Sequence, residues 1–479
     1  MEFLAQAFTE ETIADLHAES LRLLSEVGIC FHGEKALGIL EGHGAKVSWE
    51  DHRARIPAEL VEEALRTAPR TVVFEARNPA LNFTMPSPWT GLGMDGTAAF
   101  VLDFDTGERR YGTKKDIENA LRVFQALDLA VMAWAPTCAS DAPGPSRPLH
   151  EFFTMLRFCS KHGEHELHRV DQVPYLVEGL TAIQGSEDAV RKNKIASLIY
   201  CPVAPLVHDG PMLDAYLELG QLDLPVMIMP MPVAGTTGPA SLYSNVLLGN
   251  TEALSALVIF QLAHPGRPMV YSNAVGVVDF STGGFLAGSS ETALQSAALI
   301  AMGRHYQLPT TSTGCACDAK EPGAQAVLEK TISALLDYVA GADMLIGIGE
   351  IDCSQLLVLE QMVVDHEIAR RCQRVRQGID TDAVKHLLAD IAQVGPGGHF
   401  LKSRSTRQAA RSGEFILPGL TDRHPYEAWV DLGRPSMYSA GRARVQEILE
   451  GPVADPLPDE MAGRLEDILR RADAELKDE

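Results

Sequence analysis

Seven short strand-like runs alternate with helical stretches between residues 114 and 352, at intervals of roughly 30 to 40 residues. The runs are DLAVMAWAPT, HGEHELHRV, KIASLIYCPVAPL, LPVMIMPMPVAG, RPMVYSNAVGVVD, LPTTSTGC and ADMLIGIGEID. Helical patterns lie at 114–127, 148–160, 172–184, 211–221, 239–263, 289–306 and 321–341. Strands that alternate with helices form a parallel sheet. Runs that are largely apolar, without a polar face, suit a sheet covered on both sides. Seven such units, plus an eighth that the pattern does not locate, predict an α/β fold of the (β/α)8 TIM-barrel type. An open doubly wound sheet is the alternative. No G-x-G-x-x-G follows the first run, which disfavours a dinucleotide site.

The chain divides into three expected segments. Residues 1–113 read as an N-terminal α+β extension, with a helix where Ile13, Leu16, Leu21, Leu24 and Val27 recur at helical spacing. Residues 114–396 form the barrel core. Residues 397–479 read as a C-terminal loop and helical tail packed on the barrel, ending in an amphipathic helix at 458–476.

Composition narrows the partners. The 479 residues carry 41 basic and 64 acidic side chains, a net charge of −23. That argues against nucleic acid or an anionic membrane surface. The N-terminus is acidic and lacks a signal-peptide pattern, and no unbroken run of eighteen apolar residues is seen, so a cytoplasmic protein without a membrane span is expected. Eight scattered cysteines give no disulfide framework, in keeping with a reducing compartment.

In a TIM barrel the chemistry lies at the C-terminal ends of the strands. That rule nominates Thr137, Cys138, His168, Cys201, Met231, Asn273, Asp279, Cys315, Asp318, Lys320, Glu350 and Asp352. The stretch TSTGCACDAK places Cys315 and Cys317 on a loop that turns at Gly314. A structural zinc site needs four suitably spaced ligands, and no second pair stands at such a distance. No metal site is therefore expected. His162, His165 and His168 would share a helix face, but the run reads as a strand, which separates His165 from His168. Glu350 and Asp352 give the mouth a negative rim suited to a cation.

The stretches LPVMIMPMPVAGTTGPASL, NTEALSALVIFQLAHPGRPMVYS, GCACDAKEPGAQAVLEKTISALLDYVAGADMLIGIG, LEQMVVDHEIARR and VGPGGHFLKSRST occur in order. In these the chain resembles the trimethylamine methyltransferase family. The resemblance implies a TIM-barrel enzyme that moves a methyl group from a methylated amine to the cobalt of a corrinoid (cobalamin) carried by a separate protein. No cofactor would be bound by this chain itself. Some family members use pyrrolysine and trimethylamine; others lack it and take quaternary amines such as glycine betaine. This chain has only the ordinary twenty residues, and the special position aligns near Gly314 to Asp318. The catalytic region is thus expected around Gly314, Cys315 and Asp318. The chain departs from the family pattern at Ala319, at Gly323-Ala324 and at Glu350, where a small residue is usual.

A quaternary nitrogen carries a fixed charge and cannot donate a hydrogen bond, so aromatic faces and carboxylates hold it best. Tyr271, Phe280 and Glu350 are expected to hold the cation, with Phe285, Trp134 and Tyr243 as further candidates. His168, Lys320 and the backbone amides after Gly235 are expected to meet a betaine carboxylate. The expected partners are a corrinoid protein and a small quaternary amine, and self-association into a homo-oligomer is left open. Two alternatives stand beside this reading. One is a metal-assisted lyase or hydrolase using Asp279, Asp318 and His168. The other is a betaine-binding protein without turnover.

Overall fold

A computed structural model describes residues 2–96 and 98–477. Eight parallel strands form its central sheet. We number them β1 (Gly91–Gly93), β2 (Ala130–Ala133), β3 (His162–His165), β4 (Ala196–Tyr200), β5 (Val226–Ile228), β6 (Met269–Tyr271), β7 (Thr311–Ser312) and β8 (Met344–Leu345). Each pairs with the next in sequence, except that β6 meets β7 only through a parallel bridge between Tyr271 and Thr310. The pairing of β8 with β1 closes the ring. The expected (β/α)8 barrel is present.

The strand left unplaced by the sequence pattern is β1. It lies within the expected N-terminal extension, so the barrel begins before the expected boundary at residue 113. It holds three residues, Gly-Leu-Gly, and so carries almost no propensity signal. The glycines are needed for packing. A Cβ on Gly93 would lie 2.8 Å from Ile346 Cγ2 and 2.9 Å from Met132 Cε.

Strand register decides which side chains line the barrel. Thr311 Oγ1 contacts Met227 Sδ at 3.3 Å, although β7 and β5 are not neighbours, so both point inward. Met227 pairs with Val270, which places Val270 inside and turns Tyr271 outward.

Eight helices cover the barrel: α1 (Lys114–Gln125), α2 (Arg147–Phe158), α3 (Val173–Gln184), α4 (Gly210–Leu219), α5 (Leu242–Ala263), α6 (Ser290–His305), α7 (Ala324–Ala340) and α8 (Leu359–Arg376). By length and composition α5 could cross a membrane, but Asn250, Thr251 and Glu252 interrupt its apolar run and 83% of that stretch is buried inside the protein. Its apolar residues are not confined to one side because it is covered on more than one side. The barrel packs on one face, and N-terminal helices Glu10–Arg22 and Ala58–Thr67 pack on the other. The final helix, Asp459–Glu475, buries Leu465, Ile468 and Ala472 and packs on α3.

Candidate active site

Three carboxylates gather at the C-terminal mouth of the barrel. Asp95 follows β1 and is buried, its Oδ1 accepting the Gly96 N–H at 2.7 Å. Burial pushes its acid up to about 6, against the Gly96 hydrogen bond and with help from the negative charge of Glu166. Glu166 follows β3 and stays partly exposed, with Oε1 3.5 Å from His168 Nε2. Glu350 follows β8 and is fully buried. The fields of Glu166 and Glu350 both reach Cys138, and those of Glu166 and Asp95 both reach Cys201. A buried acid raised further by a like-charged neighbour marks a place short of positive charge.

Beneath this arc a neutral chain runs into the barrel. His162 Nδ1 donates to the Glu75 carbonyl at 2.8 Å. Its Nε2 lies 2.8 Å from Ser197 Oγ, which lies 3.0 Å from Glu164 Oε2. Burial lowers His162 to about 4 and raises Glu164 to about 8. A neutral His162 with Nδ1 already donating takes the single Ser197 proton at Nε2, so the acid form of Glu164 supplies the hydrogen to Ser197 Oγ. Glu164 Oε1 is buried without a hydrogen-bond partner among the described residues. It is a vacant polar atom beside the carboxylate arc.

One wall is held rigid by a second chain. Trp134 Nε1 donates to His165 Nδ1 at 2.8 Å, so His165 donates from Nε2 to Glu151 Oε2 at 3.1 Å. The other Glu151 oxygen accepts from Ala139 N at 2.7 Å, which pins the loop after β2. The Trp134 indole lies against Gly96; a Cβ there would be 2.0 Å from Nε1. Only glycine lets the Asp95 turn pass.

The other expected site residues have different surroundings. Tyr271 faces the helices, not the mouth; its hydroxyl donates to Asn250 Oδ1 at 2.8 Å. The cause is strand parity, which sequence without register does not fix. Phe280 is 82% exposed on the loop above the mouth and forms no enclosed wall. The Lys320 side chain is 68% exposed and pairs with Asp352 at 2.5 Å. The His168 side chain is 52% exposed at the rim beside Glu166. Glu350 alone of the expected residues is buried within the arc.

The 314–318 loop, the expected catalytic region, is tightly packed. Cys315 and Cys317 are buried; burial raises both thiols, Cys317 to about 11. Asp318 Oδ1 accepts from Ala287 N at 2.7 Å and Gly288 N at 3.1 Å, and its own N–H donates to Glu329 Oε2 at 2.7 Å. The carboxylate therefore clamps two loops. A Cβ on Gly314 would lie 2.4 Å from Asp337 Oδ2, so this glycine allows close approach. Asp279 is capped within its own loop by Ser281 and Thr282. Among the described residues no group of three or more His, Cys, Asp or Glu side chains is placed to hold a metal ion. The proposed grouping of Asp279, Asp318 and His168 is not formed.

Sequence reasoning missed Asp95, Glu164 and Glu166. Asp95 follows the strand that escaped notice. Glu164 and Glu166 stand in KHGEHELHR, where the histidines drew attention, yet each lies one strand period from the other.

A family model described as Trimethylamine methyltransferase (MTTB) matches residues 3–477. The chain belongs to the trimethylamine methyltransferase family. It is 26% identical over 468 residues to Trimethylamine methyltransferase MttB of Desulfitobacterium hafniense (strain DSM 10664 / DCB-2), covering 98% of this chain and 94% of that one. It is 28% identical over 473 residues to Glycine betaine methyltransferase of Desulfitobacterium hafniense (strain Y51), covering 98% of each. The crystal structure of Methanosarcina barkeri monomethylamine methyltransferase (MtmB) is similar in fold, with a TM-score of 0.53, 11% identity, and coverage of 93% and 89%. Membership in the family makes this chain a methyltransferase, and the family match spans extension, barrel and tail alike.

Proposed function

We propose that this methyltransferase moves a methyl group from a quaternary amine, glycine betaine or a related betaine, to the Co(I) corrinoid of a separate carrier protein. The observation that carries the reading is the convergence of Asp95, Glu166 and Glu350 at the barrel mouth. A fixed cation offers no hydrogen bonds, so a carboxylate field is a direct way to hold it in a dry site. The chemistry asks little else of the protein. Attack by Co(I) on an N-methyl carbon forms the cobalt–carbon bond as the carbon–nitrogen bond breaks, and the nitrogen leaves with the electron pair as a neutral amine. No general acid is needed for that departure. The protein must hold one methyl in line with the cobalt and exclude water. The fixed Trp134 wall and the Gly96 turn give the rigidity this requires.

Exposed Met231, Phe280 and Phe285 stand on the loops following β5 and β6, where a carrier presenting its corrinoid to the mouth would meet them. Under this reading Phe280 serves the carrier and not the substrate. His168 at the rim, rather than Lys320, would meet the betaine carboxylate.

Mixing the protein with a carrier reduced to Co(I) and a panel of betaines and methylamines tests the proposal. Loss of Co(I) absorbance as methyl-Co(III) forms with a betaine supports it. Binding of a betaine in calorimetry with no transfer to any carrier would contradict it.

A further inference from the structure

The most exposed apolar stretch lies far from the mouth. Residues 379–432 contain a 3-10 turn, Ala383–Lys385, and three short α-helices, Leu388–Val394, Arg404–Ala409 and Tyr426–Asp431, and none of them buries a residue. Large apolar side chains nevertheless recur through it. Leu388 is 76% exposed and Leu401 80%, and Ile379, Val384, Ile391 and Phe415 are also open to water. Helices this short do not hold themselves in water without tertiary packing. Large apolar side chains left exposed in such number along one segment point to an interface.

The segment is tethered at its two ends and stands off between them. At one end Arg376 donates to Thr90 and to the Ala342 carbonyl, just ahead of β1 and β8. At the other, Gly419 N donates to Glu367 Oε2 at 2.9 Å, and Arg374 donates to the Glu414 carbonyl. Between them, the side-chain hydrogen bonds of residues 390–406 are internal, as in Ser405 to Asp390 and Thr406 to the Phe400 carbonyl. The arm thus leaves from the N-terminal end of the barrel and returns along α8, on the flank and away from the mouth.

The middle of the arm is opposite in charge to the chain as a whole. Residues 391–413 hold four cations, Lys402, Arg404, Arg407 and Arg411, and no acid, in a protein of net charge −23. All four are exposed, and none forms an ion pair among the described residues.

We infer that residues 379–432 are an arm that packs against a second copy of this chain, its apolar side chains buried and its cations set against the acidic surface of that copy. Charge complementarity selects this occupant, since every copy presents a strongly acidic body and, at residues 391–413 of its arm, four cations without an acid. Position separates it from the carrier, whose cobalt must reach the mouth at the opposite end. Reciprocal exchange of arms gives a closed two-fold dimer.

Light scattering at micromolar concentration tests this on the full chain. The wild type is expected to run as a dimer or a multiple of it. The double variant Leu388→Asp with Leu401→Asp changes only exposed positions, so its circular dichroism should be unchanged while dimer affinity falls about tenfold or more. Arg404→Glu with Arg407→Glu should also weaken the dimer. Hydrogen exchange should show amides 386–413 protected in the wild type and open in the Leu388/Leu401 variant. A monomeric wild type with fast exchange across 386–413 would overturn the inference. So would an unaltered oligomer in both variants, including the case where they lose carrier binding alone.

Discussion

The Lys330 ammonium lies 2.7 Å from the Asp365 carboxylate, and both side chains are wholly buried between α7 and α8. Asp365 also accepts from Gly349 N at 2.8 Å and from Gln361 Nε2 at 2.7 Å. The pair therefore holds the turn that delivers Glu350 to the mouth. Burial works against the Lys330 charge, and Asp365 beside it keeps the ammonium protonated. Lys330→Met would leave a buried carboxylate uncompensated. We expect a loss of about 3–5 kcal/mol in urea unfolding. A loss below about 1 kcal/mol would mean that the pair does not fix the turn.

Asp95 sets a pH dependence. Its acid is raised from 3.8 to about 6, so the folded state holds a proton that the unfolded state has released. The carboxylate therefore costs stability, and that cost appears as pH rises from 3.8 to about 6. Asp95→Asn should stabilise the fold at neutral pH by up to about 3 kcal/mol, with little effect below pH 4. The same substitution should weaken binding of tetramethylammonium. In the wild type that binding should fall as pH drops below about 6, where Asp95 takes up its proton. Calorimetry across this range checks both. Affinity that is flat with pH and unchanged in Asp95→Asn would remove Asp95 from the cation site.

The buried thiols should be inert. Cys315 and Cys317 are both raised by burial, so a thiol-alkylating reagent at pH 8 should leave them unmodified in the native protein and label them after denaturation. Peptide mapping gives the answer. Rapid native labelling of Cys315 would show that the 314–318 loop opens to the mouth.

Gly314 is required for close approach. Gly314→Ala places a methyl against Asp337 Oδ2, which already accepts from Ser312 Oγ at 2.5 Å and Ser296 Oγ at 3.1 Å. A destabilisation of about 1–3 kcal/mol is expected. Relief of that loss by Asp337→Ser would tie it to this contact. Equal loss in both backgrounds would place the cause elsewhere.

The fold was legible where burial on both faces writes a continuous apolar run. LPVMIMPMP and RPMVYS are such runs, and both are barrel strands. It was not legible at Gly91–Gly93, where close packing demands glycine and glycine has no strand signature. The site was less visible than the fold. The place of Glu350 after a barrel strand could be read because the end of a strand is visible in sequence. Tyr271 could not be oriented, because inward and outward positions exchange with a one-residue shift of register. Asp318 looked available, yet its carboxylate is used by two backbone amides from a loop some thirty residues earlier in the chain. Its partners belong to tertiary structure and leave no local trace.

A crystal structure of the protein soaked with glycine betaine tests the central claim most directly. The account predicts the quaternary nitrogen at the C-terminal mouth, beside the carboxylates of Asp95, Glu166 and Glu350, with one methyl facing the opening. A betaine lodged outside the barrel, or its nitrogen remote from all three carboxylates, would contradict it.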